Sequence, residues 1–374
     1  MYNILQNAES TKMPYEAFYK LNVGLSLDEF ESERALLAIF NEKDPLKRMY
    51  LLTTLLNGIM IKGASVSEVK GLINASLALD NALIKEKVIL PNNELLIGVA
   101  SSGKKGFKTI NITTPASFIA AACGSYVAKA CSRSTSSKTG SSDFLESMGM
   151  KLDIPFSEKI EILKMKRISF FSMEDATPKF AEIYGGTFYV PHAMSFALAG
   201  LSIPIQTDAL VYGLSHPNVK LSLEVYKEYG FKNVLVFSSS DDGIHFLDEL
   251  SISGNVNIVS MRNYKIGELI STNILNEFPF FSDSKTSELA EKENIIDNIR
   301  CSLKVLNNTG LKSHTEAMCL NAALIILASG KVNSLKDGYF LAKKNIENGE
   351  VFKLFLEVVQ LYKGDINKIY NIID

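Results

Sequence analysis

Between Leu95 and Ser240 short apolar runs alternate with helix signals, and this alternation constrains the fold more than any other feature. "ELLIGVASS", "YVAKACS", "RISFFSM", "DALVYGLS" and "NVLVFSS" read as strands, while "PASFIAAACG", "SSDFLESMG" and "PNVKLSLEVYKEYG" read as helices. Parallel strands need crossover connections and are buried on both faces, so they read as nearly continuous apolar runs. The pattern predicts an α/β fold, a mostly parallel sheet flanked by helices. "SGNVNIVSMRNYKIGEL" reads as strand and turn material on its edge.

Ahead of this body the chain is helical. "SLDEFESERALLAIF" offers Ser26 as N-cap with Glu29 behind it, and Ser65 with Glu68 repeats the capping-box pattern. "PLKRMYLLTTLLNGIMIKG" has helical spacing and stops at Gly63. The expected organisation is an N-terminal extension over 1–26 and a smaller all-helical domain over 27–92, which a later helical segment near 180–205 joins. An α/β domain over 93–374 ends in a helical tail that includes "TEAMCLNAALIILASG".

The composition narrows the function classes. Apolar residues make up 47% and charged residues 21% of 374, which is globular rather than disordered. The net charge of -2 supplies no basic field, so a nucleic-acid partner is not expected. No apolar run has the length of a spanning helix, and "MYNILQNAESTK" lacks a signal-peptide core. A cytoplasmic protein with no membrane partner is the expectation. Cys123, Cys131, Cys301 and Cys319 form no CxxC pair and read as reduced thiols. His192, His216, His245 and His314 have no ligand-spaced neighbour, which argues against zinc.

In such sheets ligands bind beyond the carboxyl ends of the strands. Ser101–Lys108, Asn111–Thr114 and Ser132–Ser142 fall there, and "SSSDDGIHFLDEL" adds carboxylates. Each has two open readings. Thr114 before Pro115 reads as a plain N-cap or as part of a phosphate-binding helix start. The hydroxyl-rich "SRSTSSKTGSSD" reads as a solvated loop or as an anion-holding one, and Lys129 inside a strand run points to a pair or a ligand. Asp248 and Glu249 read as a solvated turn or as carboxylates sharing a cleft. Together the loops suit a phosphate ligand with a divalent metal.

The segment order resembles the anthranilate phosphoribosyltransferase family, which shares its fold with pyrimidine nucleoside phosphorylases. Its members carry GTGGD, N-x-S-T, then K-H-G-N-R followed by S-x-S-x-K-S-G-S-A-D-x-L-E-x-L-G, then D-G-x-D-E and L-N-A-A. This chain has "NITT" at Asn111–Thr114, "KACSRSTSSKTGSSDFLESMG" at Lys129–Gly149, "LDELS" at Leu247–Ser251 and "LNAALIILASGKVNSLKDG" at Leu320–Gly338. "IMIKGASVSEVKGLINA" at Ile59–Ala75 matches the helical lobe. The resemblance implies a homodimer, formed through the helical domain, that transfers phosphoribosyl from phosphoribosyl pyrophosphate to an aromatic amine with Mg2+. By position it implies that Ser101, Gly103, Lys104, Lys105, Asn111, Thr113, Thr114, Lys129, Ser137 and Ser141 bind the donor. Asp248, Glu249 and Thr113 would hold magnesium, and Ala130, Ser132 and His192 would face the acceptor.

The departures from the family pattern bear on the acceptor. GTGGD aligns with Ser101, Ser102, Gly103, Lys104 and Lys105, so two glycines are lost and a lysine replaces the aspartate. The family's histidine and asparagine are Ala130 and Ser132, and the paired arginines fall near Gly186 and Thr187. Losing a buried carboxylate-binding arginine costs several kcal/mol. The expectation is therefore an aromatic acceptor related to anthranilate but not anthranilate itself. Two alternatives stand beside it. One is a true anthranilate enzyme of tryptophan biosynthesis with a rebuilt pocket. The other is a degenerate, non-catalytic member that binds a nucleotide, nucleic acid or partner protein.

Overall fold

The computed structural model describes residues 14–134, 137–184 and 188–374. The expected mostly parallel sheet flanked by helices is present. Strands β1 (Leu96–Ser101), β2 (Tyr126–Cys131), β3 (Ile168–Ser172), β4 (Ala209–Gly213) and β5 (Val234–Ser240) pair in parallel. β6 (Asn255–Arg262) runs antiparallel to β5 and carries β7 (Lys265–Ile266) and β8 (Ile270–Asn273). The order β3-β2-β1-β4-β5-β6-β7 steps one way from β1 to β3 and the other way from β4 onward. Such a reversal opens a crevice at the carboxyl ends of the strands.

Side-chain alternation on β1 builds two cores. Ile97 and Val99 face an apolar cluster with Phe118, Phe170, Leu320 and Phe355, while Leu96 and Ala100 face one with Leu36, Leu72, Phe196 and Tyr212. Each fully buried Leu or Phe contributes about 1.5–3 kcal/mol, so both faces hold the sheet in place. The first core is closed by Lys312–Ala328 and Glu350–Leu361 from the helical C-terminal segment.

The second core includes α1 (Tyr15–Asn22), α2 (Glu29–Phe40), α3 (Pro45–Lys62) and α4 (Val66–Ala78), together with Phe180 and Tyr184. Part of the segment expected as an extension is thus helical and buries Ala17 and Leu21, while residues 1–13 lie outside the described residues. The Ser65–Glu68 capping box forms as read. The other cap is corrected: Asp28, not Ser26, caps α2. Its carboxylate accepts from Glu31 N at 2.8 Å, and Glu31 reaches back to Asp28 N at 3.1 Å. The cause is tertiary, because Leu27 N donates to buried Glu68 at 3.0 Å and Ser26 Oγ accepts from Lys62. These contacts hold Ser26 and Leu27 outside the helix.

Two helices follow the loops that matter for function, α5 (Thr113–Ala122) and α6 (Ser141–Glu146). α5 starts one residue before the N-cap read at Thr114. Asn111 Oδ1 accepts from Thr114 N at 3.4 Å, so the carboxamide caps and the Thr114 hydroxyl is left inside the protein. Among the described residues no helix is long and apolar enough to cross a membrane.

Candidate active site

A cavity of about 430 Å³ lies at the carboxyl ends of β1 and β2, closed by the loops after β1, β2 and β5. A larger one, about 610 Å³, lies against β4, β5 and β6 and is lined by such residues as Leu210, Leu235, Ile258 and Leu324. Chemistry separates the two, because the first holds nearly all the charged and hydroxyl groups read from the sequence.

The loop after β1 departs most from the family pattern, and side chains hold it. Ser102 N donates to Gly213 O at 2.9 Å, and Ser215 Oγ donates to Gly103 O at 2.6 Å. Gly103 and Lys104 both have left-handed backbones, with φ of 64° and 57°. A lysine there carries a steric cost of roughly 1–2 kcal/mol that glycine avoids. Gly103 N donates to Asp248 Oδ2 at 2.7 Å, which fastens this loop to the carboxylates after β5.

The loop after β2 is stapled at its base. Asp143 Oδ2 accepts from Ser134 N and Gly140 N, both at 2.8 Å, and Ser141 Oγ accepts from Ser132 N at 2.9 Å. A Cβ on Gly140 would lie 2.4 Å from Ser134 N, so this closure requires glycine. Of the three cations in the stretch, Arg133 pairs with Glu146 at 2.7 and 2.8 Å, and Lys138 donates to Glu293 O. Lys129 is the exception. It is 3% exposed, its ammonium donates to Ala130 O at 2.5 Å, and no carboxylate among the described residues lies within ion-pair distance. Burial pulls it below the usual lysine value.

Asp248 and Glu249 follow β5 in a bend that turns both into the cavity, although neighbours on a straight strand would point apart. Three contacts hold the bend. Ser239 Oγ donates to Glu249 O at 2.6 Å, and Asn321 clamps Leu250 by accepting from its N–H and donating to its carbonyl, each at 2.9 Å. Gly213 gives Asp248 room, since a Cβ there would lie 1.9 Å from Asp248 O. Lys105 Nζ lies 2.7 Å from Glu249 Oε1 and 4.0 Å from Asp248 Oδ1. Burial opposes this ammonium, but Glu249 and Asp248 outweigh it and hold Lys105 above its usual value.

Among the described residues, six buried side-chain polar atoms lack a hydrogen-bond partner: Thr114 Oγ1, Thr139 Oγ1, Ser142 Oγ, His192 Nδ1, Asp248 Oδ1 and Glu249 Oε2. Thr114, Thr139, Asp248 and Glu249 line this cavity. Buried polar groups are nearly always paired, so this concentration points to a polar ligand.

Ser101, Gly103, Lys104, Lys105, Asn111, Thr113, Thr114, Lys129, Ser137 and Ser141 all line the cavity, as do Ala130, Ser132, Asp248 and Glu249. His192 does not. It sits behind Tyr184, whose hydroxyl meets His192 Nε2 at 2.5 Å, and Tyr184 forms the wall instead. Burial, with Lys104 adding to it, pushes His192 well below its usual value, so it is neutral. Tyr184 stacks between Phe180 and Phe188, and Lys104 Nζ lies 5.7 Å from its ring centroid. Burial lowers Lys104 to about 8. Sequence reading missed Tyr184 and Asn321. "PKFAEIY" looks like ordinary helix core, and a buried helical asparagine inside "LNAA" was the only sign of the clamp. Gly186 and Thr187 lie outside the described residues, as do Thr135 and Ser136.

The model of a glycosyl transferase family, a/b domain, matches residues 93–352. The anthranilate phosphoribosyltransferase of Bacillus cereus is 30% identical over 346 residues, covering 91% of this chain and 95% of the relative. That of Shewanella baltica is 28% identical over 322 residues, covering 82% and 84%. Among solved structures, the anthranilate phosphoribosyltransferase of Thermus thermophilus is similar with a TM-score of 0.71 at 23% identity, covering 93% of this chain and 99% of that one. The Saccharomyces cerevisiae enzyme in complex with PRPP and Mg is similar with a TM-score of 0.71 at 16% identity, covering 96% and 98%. With a family model over most of its length and a relative matched nearly end to end, the chain belongs to the anthranilate phosphoribosyltransferase family and is a phosphoribosyltransferase.

Proposed function

We propose that the cavity binds phosphoribosyl pyrophosphate and transfers its phosphoribosyl group to the amine of anthranilate, in an acceptor pocket rebuilt around Tyr184 and Lys104. The observation that carries the donor half is the gathering of unpartnered buried polar atoms around Lys129, a buried cation with no ion pair. Lys129 and the start of α5 (Asn111, Thr113, Thr114) suit the phosphate oxygens, and so do Ser101, Gly103, Ser137 and Ser141.

In the reaction the bond from ribose C1 to pyrophosphate breaks ahead of the new C1–N bond. Positive charge builds on the ribose and negative charge on the leaving oxygen. Fixed donors at the phosphates lower that barrier without reorganising. The acceptor nitrogen attacks C1 and then loses its extra proton. Asp248 Oδ1 and Glu249 Oε2, two buried oxygens without hydrogen-bond partners, would hold magnesium, which takes one or two carboxylates and completes its shell with water and phosphate. Bound there with Thr113 nearby, it would neutralise charge on the departing pyrophosphate.

For the acceptor, Tyr184 contributes an aromatic wall and Lys104 beside it a charge for a carboxylate. These two line the same cavity as Ala130 and Ser132, where the sequence, read by family position, shows only lost recognition. The Bacillus cereus and Shewanella baltica relatives are anthranilate phosphoribosyltransferases, which favours anthranilate over the different acceptor expected from those losses. Exposed Tyr19, Val23 and Ile61 on the helical lobe support a homodimer formed there, which sedimentation analysis would test.

The test is turnover. With phosphoribosyl pyrophosphate and magnesium, anthranilate fluorescence should decay in step with pyrophosphate release. Turnover with another aromatic amine but not anthranilate would return the acceptor to the earlier expectation. No turnover with any amine would support the non-catalytic alternative.

A further inference from the structure

Lys105 occupies an unusual position for a lysine. Its ammonium meets Glu249 Oε1 at 2.7 Å, approaches Asp248 Oδ1 at 4.0 Å and donates to Thr109 Oγ1. The ammonium thus sits against one carboxylate of the pair and near the other, so part of the negative charge a divalent ion would neutralise is already met from within the chain. By position Lys105 stands where the family's glycine loop has an aspartate, which would make the cluster more negative rather than less. An ammonium has three donors. Glu249 and Thr109 take two, and Lys105 lines the same cavity as Lys129, which leaves the third for a ligand oxygen.

We infer that Lys105 is a resident cation at the Asp248–Glu249 pair, and that it lets the protein hold phosphoribosyl pyrophosphate when no divalent metal is present. The inference rests on the donor assignment above. It does not exclude magnesium, because Asp248 Oδ1 and Glu249 Oε2 keep lone pairs to offer. It makes the metal an addition to donor binding rather than a condition of it. A metal bound at the pair would also be held less tightly than by two carboxylates alone, since the ammonium beside the carboxylates would repel it.

The experiment is calorimetric titration of the full chain with phosphoribosyl pyrophosphate, once with EDTA and once with magnesium. The wild-type protein is expected to bind in EDTA with an affinity within about tenfold of that in magnesium. Lys105→Gln should lose binding in EDTA and keep it in magnesium, and Lys105→Arg should retain both. Manganese titration followed by electron paramagnetic resonance, without donor, gives a readout independent of turnover. Lys105→Gln should bind the ion more tightly than wild type. Removing Lys105 can impair folding, so the wild-type titration decides by itself. Binding seen only with metal would overturn the inference and leave the donor assignment standing. No binding in either buffer would overturn the donor assignment, and the inference with it.

Discussion

Lys129 and Lys104 are two cavity cations held in different ways. Lys129 is locked in β2 with its charge unpaired, so it costs stability and serves only if an anion arrives. Lys129→Met should therefore stabilise the fold by about 1 kcal/mol or more, since it removes a buried unpaired charge. The same change should weaken phosphoribosyl pyrophosphate binding by at least about tenfold, the value of a charged hydrogen bond. Thermal unfolding and calorimetry on one variant would show the opposite signs. Burial instead brings Lys104 down to about 8. The KM for anthranilate should rise as pH climbs through 8 and the ammonium loses its proton. Lys104→Arg, always charged, should flatten that rise. Stability moves the other way, because between pH 8 and the ordinary lysine value the unfolded chain binds more protons and the native state gains with pH. A pH–rate profile beside a pH–melting profile tests both. Lys129 was legible because a lysine inside an apolar strand run is conspicuous. Tyr184 was not, since only the fold turns one face of its helix toward the cavity.

At the scale of elements, the bend after β5 makes Asp248 and Glu249 a pair. Asn321 holds that bend from a helix 71 residues further along the chain. Asn321→Ala leaves the N–H and carbonyl of Leu250 buried and unpaired. It should cost about 2–4 kcal/mol of stability and lower donor affinity as the carboxylates drift, read by denaturant unfolding and calorimetry. Gly213→Ala should move the same bend from the other side, because its Cβ has no room beside Asp248 O. The strands were legible from periodicity, and so was the Ser65 cap. The cap at Ser26 was not, because the choice between Ser26 and Asp28 depends on Glu68, which is distant in sequence and takes Leu27 N. The bend was equally out of reach, since adjacency of two acids says nothing of the direction in which they point.

At the scale of the molecule, the reversal of strand order between β1 and β4 gathers three loops that lie far apart in sequence, and this places the proposed phosphate site at one end of the sheet. The sheet was readable from strand-helix alternation, and the family from motifs in the right order. The acceptor side was the least legible part for a physical reason. Losses at Ala130 and Ser132 are visible in sequence, whereas the proposed compensation joins a lysine and a tyrosine 80 residues apart that only the fold brings together. The most direct measurement is a crystal structure of the protein with phosphoribosyl pyrophosphate. Its pyrophosphate is predicted beside Lys129 and the start of α5, with oxygens about 2.7–3.2 Å from those donors. Donor density elsewhere, in the larger cavity along β4 to β6 for example, would contradict this assignment of the site.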